Sequence, residues 1–227
     1  MEHFLSNFRL AINTSVYIKD PESSELGRKI ISGSIDLIDA IGFEAFTFKK
    51  LADKIGSTEA SIYRYFENKH KLLLYITSWY WAWLESQLVY ALANIDDYEE
   101  QLRRAVKVLT TKVKEDGSFS HISEVKLHNI IIAESSKAYF HKEVDKENKE
   151  GVFSGYKNIV GRIASIISKI NTNYPYANML VSTVVEGVHQ QRFFAQHLPR
   201  LTNKNKDEDV VPIFFEELIF QAIKEYK

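Results

Sequence analysis

"STEASIYRYFENK", residues 57–69, sets hydroxyls, charges and tyrosines at almost every second position. A segment made for solubility would use more Glu and Lys, and a core segment would not crowd Ser57, Thr58, Ser61 and Arg64 together. The flanking residues explain the pattern. Upstream, Thr47 can cap a short helix that buries Phe48, Leu51, Ala52 and Ile55 and stops at Gly56. Thr58 can cap the next, with Ile62 and Phe66 facing inward. Two short helices joined by "KIGST" have the layout of a helix-turn-helix. In that motif the second helix enters the DNA major groove and offers residues near its N-terminus to base edges.

That layout assigns the rest of the stretch. Thr58, Glu59, Ala60, Ser61 and Arg64 point outward, and small residues such as Ala60 and Ser61 let the helix backbone approach the bases. Tyr63 and Tyr65 suit the helix edge, where a phenol donates to phosphate. Lys69 sets a cation beside the free amides at the start of the following helix, and Thr47 stands at an equivalent helix start, so both suit flanking phosphates. Charge agrees. Residues 45–76 hold six Lys/Arg, among them Lys49 and Lys50, against three acids, whereas residues 22–44 hold two against five.

Outward from the motif, helical periodicity dominates and no alternating strand is evident. Leu26, Ile30, Ile31, Ile35, Ile38 and Ile41 recur at helical spacing, with Ser23 or Ser24 as N-cap and Gly42 as stop. Asn68 opens a long fourth helix whose residues from Leu72 to Trp83 are apolar almost all round, so two of its faces must be buried. Further helices are expected near 97–115, 119–140, 149–171, 176–197 and 209–226. The charge runs "HKEVDKENKE" and "NKNKDED" read as solvated loops. The expected fold is all-α: an N-terminal extension (1–21), a three-helix helix-turn-helix DNA-binding domain (22–67), and a helical ligand-binding and dimerisation domain (68–227) reached through the long helix. Arg9 and Lys19 make a poor basic arm, so packing or disorder is expected of the extension.

Composition narrows the function. The 227 residues carry a net charge of -1, so any affinity for nucleic acid must come from a local patch. The absence of cysteine excludes disulfides, zinc-thiolate sites and cysteine nucleophiles, and fits a reducing cytoplasm. No convincing leader and no long apolar run point to a membrane. No phosphate-cradling glycine loop, G-x-S-x-G elbow or H-E-x-x-H appears, so neither an enzyme nor a cofactor is expected. His121, Glu124 and His128 share a helical face, but two turns separate the histidines by ~10 Å, too far to grip one ion.

The segment "GFEAFTFKKLADKIGSTEASIYRYFENKHKLL", residues 42–73, is similar to the DNA-binding signature of the TetR (tetracycline repressor) family of bacterial transcription regulators. The likeness rests on Gly42, Phe46-Thr47, Leu51-Ala52, Gly56, Ile62-Tyr63-x-Tyr65-Phe66 and Asn68-Lys69-x-x-Leu72-Leu73, and covers about a quarter of the chain. It implies a homodimer that binds a palindromic operator, usually as a repressor, and leaves it when a small molecule enters the C-terminal domain. By position it implies phosphate contacts at Thr47, Tyr63 and Lys69, and base or backbone contacts from Thr58 to Ser61 and at Arg64. Glu59 departs from the family's frequent Lys or Arg, and a carboxylate there can accept from a cytosine amino group.

Two further expectations concern the C-terminal part. Residues 176–197 and 210–223 are strongly apolar, the latter at ten of fourteen positions, more than one buried face needs. They suit a dimer interface, as the family's last two helices do. Trp79 and Trp83 could wall an effector pocket, with His128 and Asn129 as polar groups to orient a ligand. Without such a cavity, the alternative is a DNA-bound adaptor that recruits a protein partner.

Overall fold

The computed structural model describes residues 10–115, 119, 121–205, 208–224 and 226. Those residues form eleven α-helices and, among them, no strand. The chain divides into two compact units: residues up to Ala82 with Val113–Ser154, and Trp83–Lys112 with the residues from Gly155 onward. The division falls inside the long helix Lys69–Leu92.

In the first unit, α1 (Glu25–Ala45), α2 (Phe48–Ile55) and α3 (Glu59–Tyr63) precede α4 (Lys69–Leu92). Each start is built by a capping side chain. Ser24, Thr47, Thr58 and Asn68 accept from the backbone N–H groups of Gly27, Lys50, Ser61 and Lys71. Gly42, at φ 75°, breaks α1, and Gly56, at φ 66° and ψ 41°, closes α2 in the left-handed conformation. A Cβ at Gly56 would meet no atom within 4 Å, so conformational strain alone opposes a side chain there. Gly56→Ala is therefore expected to lose about 1–2 kcal/mol of stability in urea denaturation, and Gly56→Asn less.

Ile30, Phe46, Leu51, Ile62, Phe66, Leu72 and Tyr75 form the fully buried centre of this unit. The rest of the unit covers α1. Helix α6 (Glu124–Glu134) lies along it, followed by α7 (Ser136–Tyr139) and α8 (Val144–Lys149). Lys126 pairs with Asp36 at 2.6 Å, and Glu134 accepts the N–H of Phe43 at 3.0 Å, next to the Gly42 break. The N-terminal extension packs, from residue 10 onward. Ile18 donates its N–H to the Tyr65 carbonyl at 2.7 Å, Tyr17 meets Tyr75 edge-on, and Val16 is fully buried. Arg9 lies outside the described residues.

One expectation needs correction here. "HKEVDKENKE" is not a solvated loop, because its middle folds as α8 and buries Glu147. The apolar pattern is too sparse to announce this helix. Its position depends on charged partners supplied by distant residues.

The second unit contains α5 (Tyr98–Thr110), α9 (Ser154–Ile170), α10 (Ala177–His197) and α11 (Val210–Lys224), together with the end of α4. Val181, Val184, Val185, Val188, Phe215, Ile219, Ile159, Ile163 and Ile167 make its core. Arg103 of α5 joins α11, pairing with Glu216 at 2.8 Å and stacking over Phe220 at 4.4 Å. Arg192, almost completely buried on α10, grips Asp209 through two hydrogen bonds of 2.7 and 2.8 Å and donates a third to the Thr110 carbonyl. The second charge run thus also contributes an anchoring acid rather than only a solvated loop.

Candidate nucleic-acid interface

Helices α2 and α3 present one exposed face. Thr47, Lys49 and Lys50 stand at the start of α2, and Thr58, Glu59, Ala60, Tyr63 and Arg64 line α3, all of them exposed. Ser61 is half-buried, its hydroxyl 2.8 Å from that of Thr58, so the two hydroxyls together finish the N-terminus of α3. Ile62, fully buried, pins the opposite side of the helix. The Tyr63 ring rests edge-on against Phe48 at 5.0 Å, which orients the phenol while leaving the residue 48% exposed. Lys50 spends its ammonium on the Ala45 carbonyl at 2.8 Å, and Lys54 faces Asp36 at 3.9 Å.

Two residues expected at this surface take other positions. Tyr65 is only 3% exposed, so it offers no edge to a phosphate. Its hydroxyl lies 2.8 Å from that of Ser24, the N-cap of α1, and Lys19 sits over its ring at 5.1 Å. The reason is that the chain leaves the helix after Tyr63. Both Tyr65 and Phe66 direct their N–H groups at the Ile62 carbonyl, and in this tight turn consecutive side chains can both point inward. Lys69 is half-buried, and its ammonium lies 3.1, 3.3 and 3.5 Å from the carbonyls of Phe43, Glu44 and Phe46, over the Phe43 ring. It therefore caps the carboxyl end of α1, where a cation complements the helix dipole.

The residues expected to orient an effector are dispersed. Trp79 is buried against Phe119 with ring centroids 4.8 Å apart, and Trp83 is buried in the portion of α4 that belongs to the second unit. His128 stacks on Tyr80 and its Nδ1 lies 2.9 Å from that hydroxyl, while burial holds the Tyr80 phenol far above its ordinary pKa. Asn129 is on the exposed side of α6, donating to Asp39 at 3.1 Å. His121 pairs with Glu22 at 2.8 Å, ahead of the helix rather than on its face. Two concavities are defined in the second unit, and neither is lined by Trp79, Trp83, His128 or Asn129. One, of about 770 Å³, is an open groove among α4, α5 and α9 that includes Lys157, Arg162 and Lys169. The other, of about 540 Å³, lies beside Arg192 and Asp209.

A helix-turn-helix with this cap pattern, an exposed α3 and its basic neighbours has the shape of a DNA-reading head. The family model for bacterial regulatory proteins of the tetR family matches residues 30–76, the same α1-to-α4 segment. Over these residues the chain carries a TetR-family DNA-binding domain. TetR-family proteins are DNA-binding transcription regulators rather than enzymes. No curated protein sequence matches the chain. Among solved structures, the fold is similar to the transcriptional regulator FadR from Bacillus subtilis in complex with stearoyl-CoA, at 16% identity and a TM-score of 0.61, over 86% of this chain and 97% of that one. It is similar to the fatty acid degradation regulator FadR from Bacillus halodurans, at 16% identity and a TM-score of 0.60, over 88% and 95%. A third similar structure is AibR in complex with isovaleryl coenzyme A and operator DNA, at 16% identity and a TM-score of 0.52, over 85% and 95%. No helix of the described residues is long and apolar enough to cross a membrane.

Proposed function

We propose that this chain is a TetR-family repressor that binds a palindromic operator as a homodimer and leaves it when an acyl thioester of coenzyme A binds. The exposed, capped helix α3 carries the reading. Thr58, Glu59, Ala60, Ser61 and Arg64 face base edges or backbone there, while Thr47, Lys49, Lys50 and Tyr63 hold the flanking phosphates. Tyr65 acts from inside by fixing the turn after α3. Lys69 reaches a phosphate only by sharing an ammonium already held by three carbonyls.

Dimerisation through α10 and α11 is supported by large apolar side chains left exposed on them: Met179 at 67%, Phe214 at 54%, Ile213 and Leu218. The effector class is suggested by similar structures, two of which hold stearoyl-CoA and isovaleryl coenzyme A. The close packing of Leu72 to Trp81 along α4 favours a second reading, an adaptor that recruits a protein and takes no effector.

Fluorescence anisotropy on the DNA upstream of the chain's own gene, at two salt concentrations, tests the first step. Sequence-dependent, salt-sensitive binding is expected, and Lys49→Ala should weaken it with a salt slope shallower by about one per protomer. Identical binding to scrambled DNA would remove the operator reading at that site. Addition of acyl-CoA esters of increasing chain length then separates the two readings. Release supports the sensor, and an unmoved complex supports the adaptor.

A further inference from the structure

Three side chains outside the reading face converge in the first unit. His70 is on the first turn of α4, His141 follows α7, and Glu147 is on α8. One ligand atom from each lies within 4.8 Å of the others. His70 Nε2 is 3.2 Å from Glu147 Oε1, and His141 Nε2 is 3.0 Å from Glu147 Oε2. The two imidazole rings meet edge to face with centroids 4.4 Å apart. The Glu147 side chain is 4% exposed, whereas those of His70 and His141 keep 30% and 21%, enough for an ion to enter.

We propose that His70, His141 and Glu147 form a binding site for a divalent transition-metal ion of the zinc class, with water in the fourth position. Two imidazoles and a carboxylate are the donor set of three-ligand zinc sites, and magnesium or calcium would require an all-oxygen shell instead. Bonds of about 2.0–2.2 Å to a tetrahedral ion place neighbouring ligand atoms roughly 3.3–3.6 Å apart. The two histidine–carboxylate separations already approach that spacing. The third edge closes by a small turn of the imidazoles. Lys71 Nζ, 3.4 Å from Glu147 Oε1, is placed to orient the carboxylate from outside the ligand set. Two local contacts change on binding. His141 Nε2 gives up the Ala138 carbonyl, 3.2 Å away, when it becomes a ligand. His141 Nδ1 faces the Glu143 N–H at 3.3 Å, and with the ion on Nε2 the proton moves to Nδ1, so that contact opens.

The site stands independently of DNA recognition, so its test uses no DNA. Chelator-stripped protein is titrated with Co²⁺, followed by its visible ligand-field absorption, and the Co²⁺ is then displaced with Zn²⁺. One ion per chain is expected. His70→Ala and His141→Ala should each weaken affinity by more than about tenfold, while His197→Ala, an exposed histidine outside the cluster, leaves it intact. Circular dichroism confirms that the variants are folded. If Glu147→Gln unfolds the chain, the two histidine variants decide the result. Absence of the absorption in the wild type, or its persistence in both histidine variants, overturns the site. The cluster is then only an ion-pair network about a buried carboxylate.

Discussion

Ala60→Asp is expected to lower operator affinity on the order of a hundredfold, with thermal stability within about 0.5 kcal/mol of the wild type. Ala60 is exposed at the second position of α3, where a carboxylate lies within the favourable field of the helix N-terminus. The fold therefore tolerates the change. DNA does not, because the new side chain fills the space by which the helix backbone approaches base edges and sets a negative charge among phosphates. Parallel anisotropy and melting curves measure both effects. Unchanged affinity in a folded variant would mean that α3 is not the reading helix.

Arg192→Met is expected to destabilise the chain by about 3 kcal/mol. The methionine conserves apolar length but leaves Asp209 without its guanidinium and the buried Thr110 carbonyl without its donor. Arg192→Lys should recover only part of the loss, since an ammonium cannot reproduce the two-pronged grip. The pH dependence has a definite sign. Burial pushes the Asp209 carboxyl upward, but the hydrogen bonds and charge of Arg192 outweigh it and hold the group below the ordinary carboxylate range. A depressed folded value means that the pair's stabilisation is complete above the unfolded pKa, about 3.9, and is lost as pH falls through the folded value. The stability gap between wild type and Arg192→Met should therefore narrow below about pH 4. Denaturant melts across the acid range measure it, and a gap that stays constant would show that packing, not the ion pair, is what the variant lost.

The elements of the reading head were legible because their signals are local. Thr47, Thr58, Ser24 and Asn68 cap helices within three residues of themselves, and Gly42 and Gly56 adopt backbone conformations that only their own lack of a side chain makes easy. The helix periods of the second unit were legible for the same reason. Element boundaries were less so, and the stretch near 119–140 resolves into α6 and α7, with Ser123 capping the first.

What only the tertiary structure decided is where charged and polar side chains spend their bonds. Tyr65 and Lys69 carry the groups a phosphate would accept, yet one meets Ser24 and the other the carbonyl end of α1, partners 41 and 23 to 26 residues away. Glu147 looked solvated among neighbouring charges, and became a buried acid because His70, 77 residues earlier, and His141 fold against it. Caps and periodicity act over one or two turns and can be read along the chain. Hydrogen bonds and ion pairs act over about 3 Å in space, whatever the distance along the chain, so their partners exist only once the helices have packed.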